Sequence, residues 1–456
     1  MTMLHSSKKH RGFNIIKLHP AHILLFGFSG LIFIGTCLLM IPAATKDRHH
    51  LSLIDALFEA TSAVCVTGLA VVDTGTTFTL FGQIVLLILI QLGGWGFMTS
   101  SILMFIILGK KIGLKQRLLL QESLNTFTVQ GVIKLVQRII IITLIVETIG
   151  AVALAIRWSQ EMSWGKSVYY GIFHSISAFN NAGFGLEPDS LSKWVGDPTI
   201  NLTITLLFML GGIGFFVITD IYGQKNSKIK RLSLHTKITL LFTLLINVVS
   251  TIIIFGLEFN NSATLGTLDI VDKWWAAYFQ GVVPRTAGFN TVDISQLTLS
   301  SQVYMMGLMF IGAASGSTGG GIKVTTFALL LFALWSVITN KEDISVFERR
   351  IPKSQVFRAL SIAVSGVIFI FIIFFLLTIT EKGADMSKIL FETVSAFGTV
   401  GLSAGFTGEL SPIGRILVTI MMLVGRIGPL TMAFAIAIHS NDKSKIRYAE
   451  EKILIG

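Results

Sequence analysis

The chain has 456 residues with a formal net charge of +11, and 52% of its residues are hydrophobic against 13% charged. Soluble chains carry about 25% charged residues, so this composition excludes a string of soluble domains and points to a polytopic membrane protein. The basic excess is not a nucleic-acid footprint: 24 of the 36 Lys and Arg fall at the two ends and in every second loop, and nine in the alternate loops, as the positive-inside rule expects. Both termini are accordingly expected in the cytoplasm.

In chain order, Met1–His19 is polar and basic with no small-residue cleavage site, so no cleavable signal peptide is expected. Apolar runs long enough to span follow as four pairs, each enclosing a shorter, more polar segment. The first repeat reads Ile23–Ile41, Leu53–Leu69 and Phe78–Gly109. The second reads Ile133–Ile156, Ser167–Phe184 and Thr199–Ile221. The third reads Ile238–Leu257, Asp272–Phe289 and Gln302–Ile338, and the fourth Phe357–Thr380, Ser387–Leu402 and Ile413–His439. The expected fold is therefore an all-α membrane protein of four pseudo-symmetric helix–pore loop–helix repeats around one central pore. Its divisions are residues 1–109, 110–221, 222–338 and 339–456, the first and last including the cytoplasmic termini. Irregular backbone at membrane depth must be buried in protein or line a water-filled cavity, which turns the four middle segments toward a common axis.

Those middle segments align on a glycine. Gly68, Gly183, Gly288 and Gly401 are 115, 105 and 113 residues apart, and ten residues before them stand Phe58, Phe173, Tyr278 and Phe391. Ser62, Ser177 and Ser395 stand six before, with valine in the third repeat, and Leu69, Phe184, Phe289 and Leu402 follow the glycines. The triplets ending on them are Val66-Thr67-Gly68, Asn181-Ala182-Gly183, Thr286-Ala287-Gly288 and Thr399-Val400-Gly401. The last resembles the Thr-Val-Gly of potassium-selective filters, where backbone carbonyls replace the water shell of K⁺. Carbonyls rather than side chains would do the coordinating, so the triplets need share only a backbone shape that glycine permits.

Two further features lie at membrane depth. Gly312–Lys323, GAASGSTGGGIK, interrupts the second helix of the third repeat, because its five glycines each cost up to ~1 kcal/mol relative to alanine in a helix. It is not a phosphate loop: Ile322 separates Gly321 from Lys323 and no Ser or Thr follows the lysine. We expect an unwound gate below the filter, formed by Gly312, Ser315, Gly316, Ser317, Thr318, Gly319, Gly320, Gly321 and Lys323, with free backbone groups and with Arg426 of the last helix holding it. Arg426 is too near mid-helix to snorkel easily. Arg285 is expected to brace the third loop from behind, and Lys323 to pair with a helix end or a pore acid. Glu59, His174 and Glu392 lie in pore helices, and the two acids are expected to give the outer vestibule or the helix ends a negative field. Cys37 and Cys65 read as buried thiols, the nine histidines show no metal spacing, and no convergent catalytic set appears; an enzyme is not expected.

On these motifs, from Pro20 to the C-terminus, the chain resembles the Trk/Ktr/HKT superfamily of potassium transporters, most like its KtrB-type membrane subunits. The four single-glycine triplets, the GSTGGGIK loop and an arginine in the last helix carry the likeness, while the two extra N-terminal helices of Trk-type members are missing. The resemblance implies K⁺ uptake with the triplets as the filter, Na⁺ as a stimulating ion, a homodimer with one pore per subunit, and a cytoplasmic ring of RCK-type subunits that hold the regulatory nucleotide. The alternative reading is an alternating-access secondary cation transporter, against which the parallel, fourfold repeats speak.

Overall fold

The computed structural model describes residues 20–47, 50–96, 99–100, 132–223, 232–436 and 451. Each repeat opens with a continuous helix: α1 (Pro20–Leu39), α4 (Val132–Trp158), α8 (Leu234–Glu258) and α12 (Lys353–Thr380). These four are also the described helices long and apolar enough to cross a bilayer. They expose Phe33, Leu144, Leu244 and Phe371, the outward apolar face that lipid requires of a spanning helix.

Inside this ring stand four short pore helices: α2 (Leu53–Cys65), α5 (Trp164–Phe179), α9 (Ile270–Val282) and α13 (Met386–Gly398). Ser52, Ser163, Asp269 and Asp385 sit at their N-caps, and the Ser52 and Asp385 side chains accept from Asp55 N and Ser387 N. Such caps satisfy the first orphan amides and start a helix sharply. Phe58, Phe173 and Phe391, ten residues before their glycines, are fully buried packing anchors, whereas the aligned Tyr278 of the third repeat is only half-buried and uses its hydroxyl to bond the preceding repeat.

The second helices depart from expectation. Three were read as unbroken spans, yet each breaks at a glycine of positive φ. α3 (Leu80–Trp95) ends on Gly96 at φ 80°; α6 (Pro198–Gly212) turns through 90° into α7 (Phe215–Gly223) at Gly214, φ 94°; α14 (Pro412–Ile427) gives way to α15 (Pro429–Ile436) at Gly428, φ 96°. The third-repeat pair, α10 (Leu299–Phe310) and α11 (Val324–Ile338), is separated by the long glycine-rich loop, as expected. Residues 101–109 and 437–439, the far ends of two expected spans, lie outside the described residues. The motif was readable as Gly93-Gly94-Trp95-Gly96, Gly211-Gly212-Ile213-Gly214 and Gly425-Arg426-Ile427-Gly428. Its cause is steric. A Cβ on Gly93, Gly211 or Gly425 would collide with the carbonyl of Val64, Phe179 or Phe397, each four residues before its repeat's aligned glycine.

The repeats close into a ring, each second helix meeting the next pore helix. Tyr169 donates to Gln83 Oε1 at 2.6 Å and Tyr278 to Thr205 Oγ1 at 3.1 Å, Phe310 stacks on Phe397 at 5.8 Å, and Arg415 pairs with Asp55. The last pair joins fourth repeat to first. Among the described residues the fold is all-α apart from one hairpin, β1 (Ile344–Val346) antiparallel to β2 (Arg349–Ile351), between α11 and α12. Cys65 is buried as expected, but Cys37 is exposed on the outer face of α1.

Candidate ion pathway

After each pore helix the chain turns the same way twice. Val66, Asn181, Thr286 and Thr399 take left-handed φ of 57°, 60°, 69° and 49°, and the aligned glycines follow at 93°, 71°, 75° and 89°. Three of the four non-glycine residues are β-branched, for which this conformation is strained, and such strain persists where the surroundings over-determine it. The first turn is set by hydrogen bonds: Thr67 N, Ala182 N and Val400 N return to Ser62 O, Ser177 O and Ser395 O at 2.8–2.9 Å. The third repeat differs because Pro284 precedes its loop, and Ala287 N bonds Val283 O at 3.1 Å instead.

The glycines pack into a closed cycle. A Cβ on Gly68 would strike Ala182 O, one on Gly183 would reach Gly288 Cα and Ala287 O, one on Gly288 would strike Val400 O, and one on Gly401 would strike Thr67 O. Thus the carbonyl before each glycine lies against the glycine of the preceding repeat, and no side chain fits between them. The negative C-terminal ends of four pore helices face this ring, which favours a cation there.

Above the ring opens a cavity of roughly 410 Å³, lined by the four glycines together with Asp73, Glu187 and Asp293. Partial burial opposes ionisation of Glu187, but bonds and charge from Lys193, the Tyr170 hydroxyl and Lys166 hold its carboxyl below the usual range, so it is anionic at neutral pH. Below the ring lies the glycine-rich loop. Gly320 N donates to Thr399 Oγ1 at 3.0 Å, Thr318 Oγ1 to Asn181 Oδ1 at 2.7 Å, and Asn181 Nδ2 to Thr286 Oγ1 at 3.3 Å. The left-handed residues of the second, third and fourth repeats' loops thus form the ceiling of the glycine-rich loop.

The loop's backbone groups are not free, contrary to expectation. Ala314 N and Thr318 N bond Gly212 O and Gly211 O, Gly316 O accepts from Phe215 N, and Gly312 N bonds Ile322 O. The break in the second repeat supplies most of these partners, which is why a segment with no helix of its own can sit at this depth. Ser317 donates to Ala314 O, and Ser315 lies 3.5 Å from Thr325 Oγ1. Lys323 reaches neither a helix end nor an acid; it donates to Gly319 O at 2.6 Å within its own loop. Arg426 donates to Thr318 O of the loop and to Gly93 O and Gly94 O of the first repeat's break. One guanidinium therefore ties the loop to the opposite side of the ring.

Comparison with known proteins agrees with this architecture. The profile of the TrkH family, described as a cation transport protein, matches residues 6–447. The chain belongs to the TrkH cation transport family. It is similar to the Ktr system potassium uptake protein B of Bacillus subtilis, at 48% identity over 97% of this chain and 98% of that one. It is also similar to the potassium/sodium uptake protein NtpJ of Enterococcus hirae, at 36% identity over 96% and 98%. In fold it is similar to the crystal structure of TrkH from Vibrio parahaemolyticus, with a TM-score of 0.74 and 20% identity, covering 94% of this chain and 87% of that one. Membership of this family makes the chain a multi-pass membrane transporter.

Within this family fold, the pore-helix polar groups have another place than the one expected of them. Nine residues before their glycines, Glu59, His174 and Glu392 are fully buried and brace the chain that follows the aligned glycines toward the upper cavity. Glu59 Oε1 accepts from Val71 N at 2.8 Å, His174 Nε2 from Leu186 N at 3.4 Å, and Glu392 Oε1 from the hydroxyls of Ser403 and Thr407. The vestibule field comes instead from Asp73, Glu187 and Asp293, which lie beyond the glycines and were missed. Their alignment four or five residues after Gly68, Gly183 and Gly288 was the available signal. Arg285 stands behind the third loop, donating to Asn247 Oδ1 at 3.1 Å and Thr243 Oγ1 at 3.4 Å.

Proposed function

We propose that this chain passes K⁺ into the cell through the ring of Gly68, Gly183, Gly288 and Gly401, with the Gly312–Lys323 loop and Arg426 as the gate. The single observation that carries this reading is the closed cycle, in which each preceding carbonyl abuts the neighbouring repeat's glycine. A dehydrated cation needs backbone oxygens presented from all sides at one height, and four strained, convergent loops answer that need. The loop lies beneath the ring and is held by a few separate hydrogen bonds and the Arg426 guanidinium rather than by a helix's own ladder. It can open by exchanging these bonds for water, where a packed helix could not.

The reading extends to regulation. Na⁺ acts as a stimulating ion, in keeping with the potassium/sodium uptake name of the Enterococcus relative. A cytoplasmic RCK-type ring holds the nucleotide and biases the gate, in keeping with the Bacillus relative's being named as part of a Ktr system. The chain works as a homodimer with one pore per subunit and both termini inside. A partner can shift the loop only by binding its two states with different affinity.

The broken helices of all four repeats also suit an alternating-access carrier. The fourfold ring favours the pore, since a carrier needs two halves that rock rather than four equivalent walls. K⁺ flux into liposomes holding the purified protein, with Na⁺ as competitor, decides the matter. Flux that saturates at carrier rates and requires stoichiometric counter-ion movement would overturn the pore reading.

A further inference from the structure

The residue three before each glycine divides the repeats. It is Cys65 in the first and Gly398 in the fourth, but Asn180 in the second and Arg285 in the third. Both long polar side chains reach the opening helix of their own repeat, Arg285 to Asn247 and Asn180 to Glu147. Glu147 is the unusual partner. It sits inside the apolar span Val136–Trp158, is 6% exposed, and forms no ion pair among the described residues. A carboxyl at membrane depth is expensive to keep and points to a role in the transport path or its supports.

Its surroundings indicate which. Glu147 Oε1 accepts from Asn180 Nδ2 at 3.0 Å, and the same amide group lies 3.0 Å from Gln91 Oε1 and 2.9 Å from Ile176 O. An NH₂ group has two hydrogens for these three oxygens, and Ile176 O already accepts from Asn180 N. Ser175 Oγ donates to Glu147 O at 2.6 Å, locking α4 to α5 at the same height. On its other side Asn180 Oδ1 fills the place where a Cβ of Gly94 would stand. Gly94 and its neighbour Gly93 offer the carbonyls that Arg426 holds. The next residue, Asn181, is the left-handed filter residue bonded to Thr318 of the gate and Thr286 of the third loop.

We propose that Glu147 is a positioning residue: its carboxyl fixes the Asn180 amide against the first repeat's broken helix and so sets the second filter loop, on which both the neighbouring loop and the gate are registered. This rests on the reading of the glycine ring as the ion path. Glu147 touches no ion; it acts through Asn180.

The test is reconstitution of full-length Glu147→Met, Glu147→Gln and Gly183→Ser protein, with K⁺ flux measured against competing Na⁺. Methionine keeps the bulk, suits an apolar span and removes the acceptor. It lowers K⁺ over Na⁺ discrimination about threefold to tenfold, the range expected when one buried hydrogen bond is lost. Glutamine keeps an acceptor oxygen and retains the ratio. A merely structural role would scale both fluxes together and leave the ratio alone. Glu147→Met with an unchanged ratio overturns the proposal, as does glutamine behaving like methionine. Where Glu147→Met fails to accumulate, Asn180→Ser carries the same expectation. If Gly183→Ser also leaves the ratio unchanged, it is the filter reading that falls. If Gly183→Ser changes the ratio and Glu147→Met does not, only the role of Glu147 falls.

Discussion

The glycine ring and the set of helix breaks beneath it lie one above the other and obey different rules. In the ring all four repeats adopt the same pair of left-handed turns within about 25° of one another, although the triplets share no residue but glycine. In the breaks three repeats agree, with one glycine of positive φ each, and the third departs with a twelve-residue loop. Arg426 completes the asymmetry, because it occupies the position of Gly94 and Gly212 in the aligned breaks. The proposed function accounts for the contrast: a spherical ion would need equivalent oxygens at the ring, whereas one layer below a single loop would close one path better than four competing ones.

That contrast can be broken at several points. The largest effect is expected in the ring: Gly401→Ser, whose Cβ would collide with Thr67 O, should cost tenfold or more in K⁺ over Na⁺ discrimination, about 1.4 kcal/mol of differential binding. Gly68→Ser should behave alike, since the two positions are equivalent. Competition flux measures both, and an unchanged ratio in either would refute equivalence. Next comes the loop. Deleting Ser315–Gly320 should raise K⁺ uptake velocity several-fold, about 1 kcal/mol of gate stability, with the ratio of K⁺ to Na⁺ retained. Equal flux at equal expression would make the segment a passive kink.

Arg426→Ala should raise uptake less than the deletion does, because Gly211, Gly212 and Thr399 still hold the loop. Flux above that of the deletion would show that the guanidinium acts by repelling the ion in the path, not by clamping the loop. Gly211→Ala probes the other layer. Its Cβ meets Phe179 O, and overpacking of this kind costs about 1–3 kcal/mol, read as a lower thermal midpoint of the purified protein. The smallest effect belongs to the vestibule. Asp73→Asn should raise the half-saturating K⁺ concentration less than about twofold, and mainly at low ionic strength, because a charge lining a water-filled cavity is screened within about 10 Å at 0.1 M salt.

Much of this plan was legible in the chain itself. Hydropathy, the alternation of Lys and Arg, and the recurrence of Gly68, Gly183, Gly288 and Gly401 at near-constant spacing are local or periodic signals. They settled membrane class, fourfold repetition and the aligned glycines, while the left-handed turns at Val66, Asn181, Thr286 and Thr399 emerged only from the structure. The five glycines between Gly312 and Gly321 announced an unwound loop for the same reason: helix propensity is a property of each residue and its close neighbours. The breaks at Gly96, Gly214 and Gly428 were written there too, but nothing in a run such as Leu92-Gly93-Gly94-Trp95-Gly96 says whether a pore-helix carbonyl presses on it. Only the tertiary structure decided what lies far apart in sequence: that Thr67 O closes a ring on Gly401, and that Arg426 reaches Gly93 and Thr318. It also decided that Glu59 and Glu392 are bound as braces rather than left facing the vestibule. A charge or an amide in the membrane must find partners, but which partners it finds depends on how four repeats curl around one axis, and no single stretch of the chain contains that information.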